Sequence, residues 1–182
     1  GVIIGFLMTA HQMMENRGLA LKRILDSAIL AKKMGVNIIG LGALTSSLSK
    51  GGLDIIDKVD VNVTTGHAYT AHTVASNVFR AIQMFNLSRE HIKIGIVGAS
   101  GSVGSTVAEL LARDGVEELH LIEVERKIKR MDSTLDTLKK NNPKIKLTLS
   151  SEMLSLKDMD IIVTATNAPE AVLYNKHLKP GA

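Results

Sequence analysis

Residues 93–112 read Lys93-Ile-Gly-Ile-Val-Gly-Ala-Ser-Gly-Ser-Val-Gly-Ser-Thr-Val-Ala-Glu-Leu-Leu-Ala112. A short apolar run leads into three glycines, Gly98, Gly101 and Gly104, and an amphipathic helical pattern follows without a break. In such a strand–turn–helix, the first glycine turns the chain, the second leaves room for a pyrophosphate, and the third lets the helix pack closely on the sheet. The helix N-terminus then stabilises the phosphate charge. The pattern therefore predicts a dinucleotide-binding loop.

The residues on either side strengthen this interpretation, because the glycine spacing alone also fits a strand-to-helix turn without a ligand. The run Ile94–Val97 is apolar on both faces, as is typical of a buried parallel strand. A second apolar run, Leu119–Ile122, ends at Glu123, which lies 25 residues after Gly98. An acid near this position commonly binds the adenosine ribose. Together these features predict a Rossmann-type unit.

The composition is that of an ordinary globular protein. The chain has 182 residues, of which 45% are hydrophobic and 22% charged, and a formal net charge of +4. Aromatic residues make up only 3%, so we expect no nucleic-acid partner. There is no cysteine, which excludes disulfides, cysteine-bound zinc and a thiol nucleophile within these residues. No apolar run reaches the roughly 20 residues of a transmembrane helix, and we expect a cytoplasmic protein.

Apolar runs of strand length alternate with helical patterns along the chain. This alternation predicts an α/β fold, a Rossmann-type doubly wound parallel sheet preceded by a smaller α/β unit. We place an N-terminal unit at residues 1–88 and an NAD(P)-binding domain at 89–182. The N-terminal unit is expected to form one wall of the ligand-binding cleft. The chain starts without Met and stops where a further strand would begin, so we expect a fragment with an incomplete second domain. The predicted strands are 36–41, 59–63, 94–97, 119–122, 144–149 and 159–164, and the clearest helices are 18–34 and 67–85.

Three predicted loops follow the carboxyl ends of predicted strands, where ligands bind in open α/β sheets. They cover residues 42–47, 64–70 and 164–169, and all are rich in small and hydroxyl-bearing residues. Ordinary turns capped by Thr and Asn are the alternative for each loop taken singly. In the third loop, the residues expected to contact the ribose and nicotinamide of a cofactor are Thr164, Ala165, Thr166 and Asn167.

Few side chains are candidates for proton transfer. His67 lies at a predicted helix start, and it is a candidate proton donor together with Tyr69. His67 and His72 are five residues apart, which separates them around a helix, so we expect no metal site. Lys50 precedes a Gly-Gly pair and is a weaker catalytic candidate, for which a plain surface lysine is the alternative.

Two segments resemble the long-chain acyl-[acyl-carrier-protein] reductases of cyanobacteria. Thr64-Thr-Gly-His-Ala-Tyr-Thr-Ala-His72 is similar to a TTGN-type segment of those enzymes, and Gly98-Ala-Ser-Gly-Ser-Val-Gly104 is similar to their GATGxIG loop. The two segments at this spacing are more specific than the glycine loop alone. The resemblance continues in the same order through Phe6-Leu-Met8, Lys22-Arg-Ile-Leu-Asp-Ser-Ala28, Gly42-Ala-Leu-Thr-Ser-Ser47 and Leu178-Lys-Pro-Gly181.

The resemblance implies a cofactor and a reaction. Members of that family bind NADPH and reduce a fatty acyl thioester to an aldehyde through a covalent acyl-cysteine. For this chain it implies a small-molecule or carrier-protein-bound acyl substrate, with the nucleophilic cysteine of the family lying beyond residue 182. The residues to which it gives the pyrophosphate role are Gly98, Ser100, Gly101, Ser102, Val103 and Gly104.

The choice between NAD(H) and NADP(H) stays open at this point. The resemblance favours NADP(H), but the family has basic residues just after the second strand of this unit, where this chain has Glu123-Val-Glu-Arg126. Glu123 would repel a 2′-phosphate and favours NAD(H), whereas Arg126 could accommodate one. We therefore expect NAD(P)(H), with Glu123 and Arg126 at its adenosine end.

Two other functions also stay open. A shikimate- or amino-acid-dehydrogenase-like enzyme would share the two-domain plan and the loop at 164–169, and would transfer hydride directly with the help of a lysine or an acid. A nucleotide-binding sensor without catalysis is the other alternative. The sequence leaves the substrate and the oligomeric state open, including a homo-oligomer.

Overall fold

The structure is a computed structural model that describes residues 1–129, 131–166, 168 and 170–180. Its contacts group the chain into two compact units, Gly1–Gly66 and His67–Ala182. The first unit contains α1 (Ala10–Glu15), α2 (Arg17–Lys33), β1 (Ile38–Leu41), α3 (Leu44–Leu48) and β2 (Asn62–Thr65). The second contains α4 (His67–Met84), β3 (Lys93–Val97), α5 (Ser102–Arg113), β4 (Glu118–Ile122), α6 (Glu125–Ile128), α7 (Asp132–Asn141), β5 (Lys146–Ser150) and β6 (Ile161–Thr164). Short 3₁₀ turns cover Ile56–Lys58, Met153–Asp158 and Asn175–His177.

The second unit is built on a four-stranded parallel sheet in the order β5-β4-β3-β6. β3 lies inside the sheet with Ile94 to Val97 buried, which explains why this strand is apolar on both faces. β4 and β5 extend to one side of β3, and β6 lies on the other side. This is the strand order of a Rossmann-type sheet, so the predicted α/β fold is confirmed. The reversal of strand order creates a crevice at the carboxyl ends of β3 and β6.

Both faces of this sheet are covered by other elements. Because successive strand residues point to opposite faces, each strand contributes side chains to both. On one face, Val107 and Leu111 of α5 are buried in the same apolar cluster as Ile94 of β3, and α4 and α7 contribute to that cluster. On the other face, Ile122 of β4 packs with Leu156 of a 3₁₀ turn. The helix that follows the glycines is thus held against the sheet by its apolar stripe.

The first unit has a smaller core. β1 and β2 form a two-stranded parallel sheet, and α2 buries Ala20 and Ile24 in a cluster with Leu41 and Ile55. Among the described residues of the whole chain, no helix combines the length and the apolar character needed to cross a bilayer.

Helix α4 belongs to the second unit, whereas the sequence led us to place the domain boundary after residue 88. The contacts set the boundary between Gly66 and His67. The cause is the apolar face of α4, because Ala71, Ala75 and Val78 are buried in the same cluster as the strands of the larger sheet. The segment that we expected to link the two domains therefore lies inside the second unit.

Two elements of the first unit differ from the expectation. The second strand covers Asn62–Thr65 and not residues 59–63, because pairing with β1 begins with Asn62 opposite Ile38. Helix α1 was not predicted, although Thr9 and Gln12 form the capping box that marks its start.

Candidate nucleotide-binding site

The turn between β3 and α5, called here the glycine turn (residues 98–101), has backbone from β6 packed against it. Gly98 has a φ of +82°, in the left-handed region that favours glycine. A Cβ at this position would overlap the carbonyl oxygen of Ala165, which directly follows β6. Because the obstacle is backbone, it cannot rotate away as a side chain could. Both conformation and space therefore require glycine at position 98.

Gly104 and Gly101 keep the start of α5 close to the same turn. A Cβ on Gly104 would overlap the carbonyl oxygen of Gly98 and would lie 3.1 Å from Cα of Ala99. A Cβ on Gly101 would lie 3.2 Å from the Gly98 oxygen, which is tighter than ordinary van der Waals contact. The three glycines form a cradle in which side chains do not fit at 98 and 104 and would be crowded at 101.

The backbone N–H groups of the glycine turn already donate within the protein. Gly98 donates to the carbonyl of Ile122 at 2.9 Å, and Gly101 donates to the carbonyl of Gly98 at 3.0 Å. By contrast, the N–H groups from Ser102 to Gly104 form the first turn of α5, where the helix offers no acceptor, and Gly101 at the N-cap has no side chain to cap them. The glycine turn thus supplies shape, and the helix supplies donors and a positive end for an anion.

Glu123, which follows β4, is bonded to the glycine turn itself, and its side chain is only 4% exposed. Its Oε2 accepts hydrogen bonds from the backbone N–H of Ser100, at 3.0 Å, and from the Ser100 hydroxyl. Its Oε1 accepts from the N–H of Val124, at 2.9 Å, and lies 3.7 Å from Nζ of Lys127. The Ser100–Glu123 contact was not predicted from the sequence. Its only signal is a serine at the place of the usual second glycine together with an acid after the next strand.

These contacts favour the ionised form of Glu123. Burial raises the pKa of its carboxyl, but hydrogen bonds from Ser100 and Val124 and the charge of Lys127 outweigh burial and hold the pKa below its ordinary value. A buried negative charge therefore lies directly behind the glycine turn and accepts three hydrogen bonds.

A pair of side chains joins the N-termini of α4 and α5. Nδ1 of His67, the first residue of α4, lies 2.9 Å from Oγ of Ser102, the first residue of α5. The histidine tautomer decides which atom donates. No local pattern indicates this contact, because 35 residues separate the two. Tyr69, the other residue of α4 that we singled out, is 78% exposed.

β6 ends beside the glycine turn. The N–H of Ala165 donates to the carbonyl of Val97 at 2.8 Å, and the Ala165 carbonyl lies against the turn. Thr164 and Thr166 flank Ala165 and are exposed. The structure therefore brings these three predicted residues to the crevice between β3 and β6. Asn167, the fourth, lies outside the described residues.

Two further candidates from the sequence make other contacts. Nζ of Lys50, in the first unit, lies 2.8 Å from Oδ1 of Asp54, and the lysine side chain is 65% exposed. Arg126 lies on the short helix α6 and is exposed. In the part of the chain that the structure describes, no three His, Asp or Glu side chains come together as ligands for a metal ion.

The cradle fits the phosphates of a dinucleotide, because close-packed glycines, first-turn N–H groups and a positive helix end meet at the strand-order reversal. The second unit is thus a domain of the dinucleotide-binding α/β class. The family model described as shikimate / quinate 5-dehydrogenase matches residues 80–182, more than half of the chain. The chain belongs to this family, and it contains an NAD(P)-binding domain of the dehydrogenase type.

Similarity to individual proteins is lower. The chain is 28% identical over 165 residues to the long-chain acyl-[acyl-carrier-protein] reductase of Synechococcus elongatus, covering 86% of this chain and 46% of the reductase. It is 26% identical over 183 residues to the aminotransferase PigE of Serratia sp., covering 100% of this chain and 21% of that protein. The chain thus spans less than half the length of either relative. Among solved structures, a dipicolinate synthase from Bacillus halodurans aligns with a TM-score of 0.42 and 15% identity, over 72% of this chain and 43% of that one.

Proposed function

We propose that this chain binds NAD(P)H at the glycine turn and is the nucleotide-binding part of an oxidoreductase that reduces a fatty acyl thioester to an aldehyde. The cradle supports nucleotide binding, the first half of this proposal, because backbone occupies the space that a side chain at Gly98 or Gly104 would need. The similarity to an acyl-[acyl-carrier-protein] reductase over 86% of this chain supports the second half. Acyl-carrier-protein and coenzyme A thioesters are both candidate substrates.

The first turn of α5 is the proposed pyrophosphate site. Its N–H groups, from Ser102 through Val103 to Gly104, supply the donors, and Gly101 lets the phosphates approach the backbone. At the end of β6, the small Ala165 and the hydroxyl of Thr166 suit contacts with the nicotinamide half of the cofactor. When bound, the nicotinamide supplies a hydride to a carbonyl-level carbon, and the protein supplies position and electrostatics.

We assign His67 to the phosphate side of this site and not to the reacting carbon. Its ring is bonded to Ser102, at the start of α5, where the pyrophosphate would lie. A proton donor to the substrate is needed at the nicotinamide end of the site. We therefore do not propose His67, which lies at the phosphate end, as that proton donor.

Nucleotide binding is tested on the 182-residue chain by titration with NADH and NADPH, followed by their fluorescence. We expect saturable binding that Gly104→Ala weakens. Gly18→Ala is the matched control, because Gly18 is also near a helix start but a Cβ there would meet only one atom, at 4.0 Å. Absence of binding by the unmodified chain would reject the nucleotide proposal.

The reaction is tested on the complete protein that contains this chain. Acyl thioesters of several chain lengths, on carrier protein or on coenzyme A, are supplied with NAD(P)H, and aldehyde is measured together with nucleotide oxidation. Aldehyde formed in proportion to oxidised nucleotide supports the proposal. No aldehyde from any thioester would reject the acyl-thioester half, even if the nucleotide binds.

Direct hydride transfer involving a hydroxy acid is the second candidate, because the family that matches residues 80–182 is that of shikimate / quinate 5-dehydrogenase. Lys50 is the side chain that we singled out for this chemistry. If it takes part, Lys50→Ala in the complete protein abolishes NAD(P)-dependent oxidation of shikimate or quinate. Lys58→Ala, which removes another exposed lysine of the first unit, serves as control and leaves the rate unchanged.

A further inference from the structure

Most acceptor sites of the Glu123 carboxylate are engaged by the protein. A carboxylate offers about four acceptor positions. Three receive hydrogen bonds from Ser100 and Val124, and Lys127 adds its charge on the Oε1 side. With a side chain that is 4% exposed, Glu123 presents almost no surface to a ligand.

This arrangement differs from that of an acid that selects NAD over NADP. Such an acid accepts a hydrogen bond from the 2′-hydroxyl of the adenosine ribose. For Glu123 to do so, its carboxylate would have to leave its buried position, where the side chain is 4% exposed, and give up donors from Ser100 or Val124. Displacing the Ser100 N–H would leave a partly buried donor unpaired, which is unfavourable compared with keeping the existing bond.

We propose that Glu123 is a positioning residue that ties the glycine turn to the end of β4 through Ser100, and that it does not discriminate between NAD(H) and NADP(H). This inference rests on the proposed nucleotide binding. Glu123 fixes the conformation of residues 98–101, and these residues set where α5 begins. Loss of the Ser100–Glu123 hydrogen bonds therefore weakens the binding of NAD(H) and NADP(H) alike, because both contain the pyrophosphate.

This role of Glu123 differs from the expectation drawn from the sequence, in which Glu123 repels a 2′-phosphate. Its charge is offset by the nearby Lys127 and stabilised by hydrogen-bond donors. Selection at the adenosine end then falls to Arg126, the exposed cation beyond β4 that we expect to meet a 2′-phosphate.

The test compares three variants of the 182-residue chain. Glu123→Gln removes the charge at constant size, Ser100→Ala removes only the hydroxyl donor, and Glu125→Gln makes the same charge change two residues away at an exposed position. Dissociation constants for NADH and NADPH are measured on each. We expect Glu123→Gln and Ser100→Ala to raise the dissociation constants of both nucleotides by roughly three- to tenfold. The ratio of the NADH constant to the NADPH constant should stay the same to within about twofold. Glu125→Gln should change neither constant.

A selective effect would overturn the proposal. If Glu123→Gln weakens NADH binding by about tenfold or more while NADPH binding is unchanged or tighter, then Glu123 accepts a hydrogen bond from the ribose. Ser100→Ala provides a second reading in case Glu123→Gln folds poorly, because it removes one bond of the same tie and leaves the carboxylate in place.

Amide hydrogen exchange tests the tie without any nucleotide. In Glu123→Gln and Ser100→Ala, the amides of residues 98–101 should exchange faster than in the unmodified chain and in Glu125→Gln, while the amides of β3 stay protected. Unchanged exchange in this segment would overturn the positioning role. If the unmodified chain binds neither nucleotide, the proposed function fails, and the exchange experiment alone then decides whether Glu123 holds the turn.

Discussion

Two strand-to-helix turns of this chain look alike in sequence and differ in structure. One runs from β1 to α3 through Gly42 and Ala43, and the other runs from β3 to α5 through the glycine turn. A Cβ on Gly42 would meet nothing within 4 Å, and it is Ala43 that adopts a positive φ, of 47°. In the second turn, Gly98 itself has the positive φ, and backbone of Ala165 fills the space beside it.

The comparison shows that glycine content indicates a loop, whereas packing around the glycine indicates a cradle. In the first turn, glycine lies where other residues would fit, and the helix that follows has only 5 residues. In the second, glycine lies where nothing else fits, and the helix has 12 residues. We therefore rank the turn of β3 above that of β1 as a phosphate site, although both are rich in small residues.

Gly98→Ala should separate the two turns most strongly. The added methyl group overlaps the carbonyl of Ala165, and a φ of +82° is strained for alanine. We expect the free energy of unfolding to fall by about 3 kcal/mol or more, together with loss of NAD(P)H binding. Chemical denaturation and nucleotide titration measure the two effects. Gly42→Ala is the control and should change stability by less than about 0.5 kcal/mol; similar losses in both variants would contradict the comparison.

Gly104→Ala should have the next largest effect. Alanine is favoured over glycine inside a helix by about 1 kcal/mol, but here the methyl group would overlap the carbonyl of Gly98. We expect a net loss of about 1–2 kcal/mol from the free energy of unfolding, measured with urea. The same change at Gly18, in α2, should be neutral or stabilising. A stabilised Gly104→Ala variant would show that α5 is not packed against the turn.

Glu123 supports only the second turn, and its contribution should depend on pH. Its pKa is lower in the folded chain than its ordinary value of 4.5, so the carboxylate stabilises the fold above about that pH. The stabilisation disappears as the pH falls through the lower, folded-state pKa. Glu123→Gln should therefore reduce the free energy of unfolding by about 1–2 kcal/mol at neutral pH, and the two chains should converge in acid.

Urea unfolding of Glu123→Gln and of the unmodified chain across a series of pH values measures this convergence. Glu125→Gln, at an exposed position, should show no such dependence. A difference between Glu123→Gln and the unmodified chain that stayed constant from neutral to acidic pH would mean that the carboxylate charge is not what supports the turn.

Ala43→Gly should have the smallest effect, and in the opposite direction. Alanine at a φ of 47° and a ψ of −133° is strained by about 1–2 kcal/mol, whereas glycine loses about 0.4–1 kcal/mol through its freer unfolded state. We expect the free energy of unfolding, measured by thermal unfolding, to rise by about 0.5 kcal/mol. Nucleotide affinity should not change. A loss of stability would show that the first turn, too, is tightly determined.

The sequence was sufficient for the parts of the site that are local. β3, the glycine turn and α5 follow one another along the chain, so their apolar pattern and glycine spacing predict them together. The parallel sheet could be predicted as well, because strands and helices alternate. By contrast, the bond from Ser100 to Glu123 joins residues 23 positions apart, and that between His67 and Ser102 joins residues 35 positions apart. Such contacts depend on how strands and helices assemble, which periodicity does not describe.

The same limit explains why the second strand and the surroundings of α4 differ from the expectation. A pattern of alternating residues at 59–63 is typical of a strand, but pairing with β1 decides which residues form the ladder, and it selects Asn62–Thr65. Likewise, the apolar face of α4 could be predicted, whereas the core that it joins could not.

The bonds around Gly98 have a consequence for how much of the chain a working cradle needs. Gly98 donates to Ile122 at the end of β4, and it lies against Ala165 at the end of β6. The turn can therefore reach its final shape only after both neighbouring strands have joined β3 during folding. A synthetic peptide of residues 93–112 would contain the complete glycine pattern, yet we expect it to bind no dinucleotide. The shortest excised segment with a formed cradle must extend at least from β3 through Ala165.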